Sequence, residues 1–378
     1  KGATAGAVGE AKGFGIYLDD CASEVEVRGN TVARTSAGVF LHNAHHCLLT
    51  GNTFFDNDVQ MLIVHDDIAP EAEAAIRGVM FTGNTLISRT PRQLVLSATS
   101  RTEDFSKFGT FDRNVYARPA DQGLIVEQGI GSNLPQAYDL EGRRAVTGLD
   151  AGTVPAAVTI APYTIAALGP NLVAGGDFAQ AAKGVSVWSK TGATEAGWIE
   201  GKLDGGCLQH RLKTPSGTPQ TSLLMIPAGA VAAGKRYLLR FSILGAADHG
   251  SARVRLRESD APWGYLTDAQ SVKVDRTRRE CSVLFTAPSD RRGSLVEWSF
   301  NERDGAFWLD NVTLQEATVS EADPSIFRLE TNPTDQPRTI RLDQSWVDVA
   351  GKFYEGSLTL PPRASLVLLR KDACVGSK

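Results

Sequence analysis

The chain has 378 residues, of which 39 are Lys or Arg and 43 are Asp or Glu, so its formal net charge is -4. This length favours two or three domains over a single core, and the charge balance argues against a basic surface for nucleic acid. No apolar run reaches the roughly 18 residues that a membrane-spanning helix needs. Few segments have a helical period, which predicts an almost entirely β protein.

The first 130 residues contain a repeat whose unit carries an asparagine turn. The turns are Gly29-Asn30-Thr31, Gly51-Asn52-Thr53, Gly83-Asn84-Thr85 and, more weakly, Arg113-Asn114-Val115. Upstream of each turn is an opening strand, in the runs GIYLDD, GVFLHN, MLIVHD and QLVLSA, and a fifth run, GLIVEQ, follows. A repeat of this length indicates a solenoid, here a parallel β-helix whose coils stack at about 4.8 Å. The asparagines are expected to hydrogen-bond from coil to coil.

Alternation of side chains along the opening strands assigns their faces. Two inward columns are predicted, which are Ile16, Val39, Leu62, Leu94, Leu124 and Leu18, Leu41, Val64, Leu96, Val126. The outward columns are Tyr17, Phe40, Ile63, Val95, Ile125 and Asp19, His42, His65, Ser97, Glu127. A further column at the turn is Asp20, Asn43, Asp66, Ala98, Gln128. We therefore expect ionisable groups from the first three coils to meet at one end of this sheet.

GIYLDD followed by a strand such as VRGNTV resembles the right-handed parallel β-helices of the pectate lyase superfamily, over about residues 10–150. The resemblance implies a β-helix over 1–155 and a secreted, cell-surface or periplasmic bacterial protein that degrades a glycan. It leaves the reaction open, because lyases, hydrolases, epimerases and phage tailspikes share this architecture. The segment before the first coil is a poor cap, so we expect further coils upstream or an oligomer to cover the open edge.

Residues 156–170 are predicted to be a connector, and residues 171–318 show short alternating strands typical of a β-sandwich. The start NLVAGGDF and the end WLDNVTL resemble the jelly-roll carbohydrate-binding modules attached to xylanases and related enzymes. The resemblance implies a structural Ca²⁺ held by Asp177 and Asp310, although Asp310 could equally serve only in a turn. Trp263 and Tyr265 lie in a predicted loop and are the best candidates for stacking on a sugar, whereas the strand residues Trp298 and Trp308 are predicted to pack.

Residues 319–378 form a last set of predicted strands. Their end, SLTLPPRASLVLLRK, resembles the small C-terminal β-sandwich of many glycoside hydrolases. This length makes only half a sandwich. One arrangement pairs these strands with strands from 145–168, which would make the jelly roll an insertion.

The polar columns favour hydrolysis of a polysaccharide or oligosaccharide as the leading hypothesis. A glycosidase needs two carboxyl groups, about 5–5.5 Å apart in retaining enzymes and about 6.5–9.5 Å apart in inverting ones. Asp20 and Asp66 lie two coils apart, which predicts a backbone separation of roughly 9.6 Å, near the inverting limit. Asp19 is expected to raise the pKa of the neighbouring histidines. The outward candidates for substrate contact are Tyr17, Phe40, Asn43 and Glu127.

Two other functions remain open. A lyase would use His42 or His65 as its base with Tyr17 nearby, and it would need Ca²⁺ or an arginine to neutralise a uronate. No Lys or Arg occupies the outward columns, which counts against a lyase. A non-catalytic glycan-binding surface or adhesion protein is the second alternative, and a trimer like a tailspike is a weaker one. The sequence identifies neither the sugar nor the linkage.

Overall fold

The computed structural model describes residues 13–66, 75–131, 133–213, 220–302 and 305–375. The chain forms two compact units. The first contains the described residues up to Gly131, Tyr138–Pro162 and the residues from Glu321 onward. The second contains Tyr163–Ser320 and a short segment that ends at Ala137. No helix among the described residues is long and apolar enough to cross a membrane.

Among the described residues up to 160, the secondary structure consists of short strands and one α-helix. They are β1 Ile16–Leu18, β2 Glu26–Arg28, β3 Thr31–Ala33, β4 Ala37–His42, β5 Leu48–Thr50, β6 Thr53–Phe55, β7 Val59–His65, β8 Val79–Thr82, β9 Thr85–Ile87, β10 Leu94–Ser100, β11 Gly109–Asp112, β12 Val115–Ala117, β13 Val126–Ile130, β14 Gln136–Tyr138, α1 Leu140–Thr147, β15 Val154–Pro155 and β16 Thr159–Ile160. A 3₁₀ turn spans Phe105–Lys107.

Successive coils of the first unit add one strand each to three parallel sheets. The first sheet contains β1, β4, β7, β10 and β13 in that order. The second has the order β11-β8-β5-β2, and the third has the order β15-β12-β9-β6-β3. This is the predicted parallel β-helix, and it sets the ends of β1, β4 and β7 side by side.

A ladder of asparagines, buried at every rung after Asn30, runs through the turn between the second and third sheets. The backbone N–H of Asn30 donates to Asn52 Oδ1 at 2.9 Å, and that of Asn52 donates to Asn84 Oδ1 at 3.0 Å. The N–H of Asn84 donates to Asn114 Oδ1 at 2.9 Å. Because each side-chain amide satisfies a turn N–H that water does not reach, the asparagine repeat fixes the stacking of the coils.

The predicted register of the third coil is wrong by one residue. Val39 pairs with Met61 and His42 with Val64, so Leu62 and Val64 face outward and Ile63 faces the core. The pairing of Ala37 with Val59 makes this coil 22 residues long, whereas the prediction aligned the polar strand ends at 23. In the later coils Val95 and Ile125, also predicted to face outward, are buried in the core.

The second unit is an antiparallel β-sandwich built from eleven described strands. They are β17 Tyr163–Asn171, β18 Ser186–Ser189, β19 Thr194–Glu200, β20 Gly206–Leu212, β21 Gln220–Ala228, β22 Arg236–Gly245, β23 Gly250–Glu258, β24 Gln270–Val274, β25 Arg279–Thr286, β26 Ser294–Glu302 and β27 Ala306–Glu321. One sheet has the order β19-β20-β27-β22-β25, with β17 paired to β27, and the other has the order β18-β21-β26-β23-β24. The connector was predicted to extend to residue 170. Since β17 belongs to the sandwich, the connector ends before Tyr163 in the structure.

The strands after the sandwich return to the first unit. They are β28 Phe327–Thr331, β29 Arg338–Arg341, β30 Trp346–Asp348, β31 Phe353–Tyr354, β32 Ser357–Leu360, β33 Ser365–Arg370 and β34 Cys374–Val375, with 3₁₀ turns at Pro324–Ile326 and Lys371–Ala373. β34 pairs with β16, and Val367 and Leu369 share a core with Phe55 and Ile87 of the β-helix. The prediction of a separate domain over 319–378 therefore differs from the structure, because these strands bury their apolar face on the coils.

Candidate functional site

Five polar residues meet where three neighbouring strands of the first sheet end. Asp19 and Asp20 follow β1, His42 is the last residue of β4, Asn43 comes next, and Asp66 follows β7. Leu18 pairs with Leu41, so the residues that follow these two positions leave the sheet together. The sequence placed these residues together, and they are adjacent in the structure.

His42 bridges carboxylates on both sides of its ring. Its Nδ1 lies 3.0 Å from Asp19 Oδ1, and its Nε2 lies 2.9 Å from Asp66 Oδ2. Asp20 Oδ1 is 3.5 Å from Nδ1, and only 12% of the His42 side chain is exposed. Both ring nitrogens therefore face negative charge, an arrangement that suits the doubly protonated imidazolium.

Asn43 joins the two carboxylates that the sequence proposed as an acid–base pair. Its Nδ2 donates to Asp20 Oδ1 and to Asp66 Oδ1, each at 2.8 Å. Its Oδ1 accepts the backbone N–H of Asp66 at 3.0 Å, so the Asp66 side chain turns back toward the second coil. The two carboxylate oxygens lie within twice 2.8 Å of each other. The predicted separation of roughly 9.6 Å was that of the backbones, and the side chains bring these two oxygens closer together than the carboxyl groups of an inverting enzyme.

The carboxylates alter the protonation of their neighbours. Burial lowers the pKa of His42, but hydrogen bonds to Asp66 and Asp19 outweigh it, so that the pKa is raised overall. A hydrogen bond of 2.6 Å from the Tyr17 hydroxyl to Asp19 is the main cause that raises the pKa of Tyr17 to about 12. The same bond, with others from Asp20 and His42, lowers the pKa of Asp19. Tyr17 is thus a neutral hydrogen-bond donor at physiological pH.

An exposed aromatic surface adjoins this group. The rings of Tyr17 and Phe40 are stacked with centroids 4.7 Å apart, and Phe14 packs edge-on to Phe40 at 5.1 Å. Phe40 is only 8% exposed and packs beneath the other two rings, so it is not available for the contact with a sugar that the sequence predicted. Phe14 and Tyr17 are the exposed rings at this place. Phe14 precedes the repeat pattern by one residue, which is why alternation did not identify it. Stacked, exposed rings of this kind fit the apolar face of a sugar.

Two predicted site residues lie elsewhere. His65 is 3% exposed and faces the interior of the β-helix, where its Nδ1 lies 3.1 Å from Ser100 Oγ. Its predicted outward position is wrong because of the one-residue shift in the third coil. Glu127 lies on β13 and pairs with Ser97 of β10. Because β13 is three strands from β4, which carries Phe40, the structure does not bring Glu127 to this group.

The group also has the composition of a small metal site. Asp19, Asp20 and His42 each offer one ligand atom, and these atoms lie within 4.8 Å of one another. A ligating histidine must be neutral, whereas the surrounding carboxylates raise the pKa of His42. The hydrogen bonds of His42 to Asp19 and Asp66 already use both of its ring nitrogens. A metal ion at these three residues would have to displace the contact of His42 Nδ1 with Asp19.

The two aspartates predicted to hold Ca²⁺ in the jelly roll differ in their surroundings. Asp310 is fully buried, and burial raises its pKa. Its Oδ1 accepts the N–H of Asn311 at 2.7 Å, while its Oδ2 has no hydrogen-bond partner among the described residues. Such an orphaned oxygen fits a cation. Asp177 is exposed, and no described contact joins it to Asp310.

The aromatic loop between β23 and β24 rests on a buried ionic stack. Trp263 and Tyr265 are 53% and 62% exposed, as expected for sugar-stacking candidates. Arg257 Nε donates to the Trp263 carbonyl at 2.8 Å, and the Arg255 guanidinium lies 3.9 Å from the Tyr265 ring centre. Both arginines form ion pairs with the buried carboxylate of Glu297, at 3.1 Å for Arg255 and 2.7 Å for Arg257, and only the contact of Arg257 is a hydrogen bond. The stack holds the two exposed rings in place. Trp298 and Trp308, by contrast, are buried.

The raised pKa of His42 predicts a pH dependence of stability. A group with a raised pKa in the folded state contributes stability that is complete below its unfolded pKa, about 6.5 for histidine. That contribution is lost as the pH rises through the higher folded pKa. We expect the melting temperature to fall by a few degrees more between pH 6 and pH 9 in the wild type than in His42→Gln. His46→Gln, which removes a histidine outside this group, should behave as the wild type, and equal pH profiles in all three proteins would contradict the prediction.

No protein-family profile matches this sequence, and no curated protein matches it. Among solved structures, a family 11 carbohydrate-binding module from Clostridium thermocellum, in complex with a β-1,3-1,4-mixed-linked tetrasaccharide, is 15% identical with a TM-score of 0.31 and covers 39% of this chain and 96% of its own. A putative sugar-binding protein from Bacteroides thetaiotaomicron is 12% identical with a TM-score of 0.31, covering 39% and 100%. The enzymatically active domain of tailspike protein 4 of bacteriophage CBA120 is 10% identical with a TM-score of 0.32, covering 80% and 44%. Likeness at this level transfers no activity.

Proposed function

We propose that this chain is a secreted or cell-surface glycan-degrading protein whose β-helix hydrolyses glycosidic bonds and whose jelly roll binds the same polysaccharide. The supporting observation is the convergence of Asp20 and Asp66 on the Asn43 amide, beside the exposed ring of Tyr17. The two oxygens that meet at Asn43 lie at most twice 2.8 Å apart, which is compatible with the spacing of about 5–5.5 Å in a retaining glycosidase. The sugar ring would lie on Phe14 and Tyr17 with its glycosidic bond toward the carboxylates.

The contacts of the two carboxylates suggest different roles. Asp66 is held from two sides, by His42 Nε2 and by Asn43 Nδ2, and this orientation suits a nucleophile that attacks the anomeric carbon. Asp20 accepts one hydrogen bond, from Asn43, and we assign to it the transfer of a proton to the leaving oxygen and from the incoming water. His42 is then a positioning residue, because it acts on the reacting atoms through Asp66.

A panel of polysaccharides incubated with the full chain tests the proposal. Hydrolysis releases reducing ends without a new absorbance. Elimination also creates a C=C bond conjugated to the uronate carboxyl, which absorbs in the ultraviolet. The second outcome would replace hydrolysis with the lyase reaction, in which the Tyr17 hydroxyl, 3.2 Å from His42 Nδ1, is a candidate proton donor. Binding of a polysaccharide without any cleavage would instead support a glycan-binding or adhesion protein.

A calcium ion in the jelly roll is a further part of the proposal. The Oδ2 of Asp310, which has no hydrogen-bond partner, would serve as one ligand. The ion would offset the free-energy cost of burying this carboxylate. We expect millimolar CaCl₂ to raise the melting temperature of the wild type by several degrees over a chelated sample. Asp310→Asn should lose that increase. Asp177→Asn tests the second ligand in the same way, and a wild type indifferent to Ca²⁺ would remove the site.

A further inference from the structure

One face of the jelly roll carries a row of arginines. Arg253, Arg255 and Arg257 occupy alternate positions of β23, so their side chains leave the same face of the sheet. The residues at the positions between them pack in the sandwich core, so this face is the outer one. On the adjacent strand β26, Ser299 lies opposite Arg253 and Glu297 lies opposite Arg255. A positively charged strip therefore runs along β23, next to the edge strand β24.

Only part of that charge is neutralised. Glu297 forms ion pairs with both Arg255 and Arg257, so one carboxylate serves two guanidinium groups. Lys273, on the neighbouring strand β24, is paired with Asp275. Arg253 has no carboxylate partner among the described residues, and its Nε is buried without a hydrogen bond. The strip thus retains net positive charge, centred on Arg253.

Exposed aromatic rings lie on the same face as this charge. Trp188 lies on β18, the edge strand of the same sheet, and is 52% exposed. Pairing from Trp188 to Leu223, then to Ser299 and Arg253, places Trp188 in the same row, three strands or roughly 14 Å away. Trp188 therefore lies at one end of the row that leads to Arg253, and Tyr265 lies further along β23, over Arg255 and bridged to Arg257.

We propose that this face of the jelly roll binds an acidic glycan, one whose sugars carry carboxylate or sulfate groups, and that Arg253 recognises the anionic group. A planar guanidinium donates two parallel hydrogen bonds to a carboxylate or sulfate, and such charge-assisted bonds are about twice as strong as neutral ones. A neutral glycan would stack on the same rings but would leave Arg253 unpaired. This inference rests on the proposed binding of glycan by the jelly roll and adds its substrate class.

Calorimetry on the full chain with three oligosaccharides of equal length tests the inference. The probes are a galacturonic acid oligomer, a sulfated glucose oligomer and an unmodified glucose oligomer. We expect one or both acidic probes to bind at least about tenfold more tightly than the neutral one, with a preference that weakens as salt increases. The two acidic arms distinguish a carboxylate from a sulfate as the group that is recognised.

Variants separate the charge from the stacking. Arg253→Gln should remove the preference for acidic probes, and Arg253→Lys should keep only part of it, because an ammonium group lacks the planar fork. Arg240→Gln, which removes a charge from the outer face of the opposite sheet, should bind as the wild type. Tyr265→Ala should weaken every probe alike.

The outcomes distinguish the two levels of the proposal. Neutral and acidic probes bound equally well, with no effect of Arg253→Gln, would overturn the acidic class and leave glycan binding intact. If no probe binds the folded protein at the concentrations used, both the acidic class and the proposed role of the jelly roll fall. Melting temperatures of all variants show whether a loss reflects unfolding.

Discussion

Asp20→Asn and Asp66→Asn are each expected to reduce hydrolysis by at least about 10³-fold. An amide cannot transfer the proton or attack the anomeric carbon, and removal of a general acid–base alone costs about 10²–10⁴-fold. Both oxygens accept from the Asn43 amide, so each substitution also places two amide groups in contact. The measurement is the initial rate of release of reducing ends on whichever polysaccharide the wild type degrades.

Stability separates loss of chemistry from loss of structure in these variants. Asp20 accepts one hydrogen bond in a partly exposed place, so Asp20→Asn should change the melting temperature little. Asp66→Asn also weakens the contact with His42 and should flatten the pH dependence of stability described above. Glu26→Gln, on the exposed side of the same unit, is the matched control and should retain full activity. Full activity in both aspartate variants would refute the assignment.

The repeat allowed the β-helix to be predicted because its signal is redundant. The asparagine turn occurs four times and the opening strand five times, so an error in one coil does not hide the pattern in the others. The predicted register of the third coil was wrong because His42 and His65 both lie at the end of a strand and therefore look equivalent in the sequence. The structure aligns strand starts instead, where the N–H of Asp58 bonds the carbonyl of Thr35.

The site was only partly predictable for a related reason. His42 and its neighbours in the first two coils follow from alternation, which acts within a strand. The approach of Asp66 depends on a side-chain bond from Asn43, and a linear pattern carries no signal for it. The packing of β33 on the coils likewise joins residues more than 200 positions apart, and the unpaired charge of Arg253 appears only when the strands of the sandwich are placed side by side.

The far end of the asparagine ladder is fixed by a buried ion pair. Thr153 Oγ1 accepts the N–H of Asn114 at 3.2 Å, in the place where a further asparagine would stand. That hydroxyl donates to Asp150 Oδ1 at 2.9 Å, and Asp150 Oδ2 accepts from Arg143 Nε at 2.6 Å. Arg143 and Asp150 are both buried. The pair therefore links helix α1 to the last rung of the ladder.

Asp150→Ala is expected to lower the free energy of unfolding by about 3–5 kcal/mol, because it leaves a buried arginine without its counter-charge. Urea unfolding of the full chain measures the change. Glu141→Ala removes an exposed partner of Arg144 on the same helix and should cost less than about 1 kcal/mol. The double variant Arg143→Met with Asp150→Asn should recover most of the loss, because it buries no charge, and Asn tolerates the left-handed backbone of position 150 and keeps an acceptor for Thr153. A loss below about 1 kcal/mol in Asp150→Ala would mean that water or a shifted side chain compensates the arginine, and that the ladder does not depend on this pair.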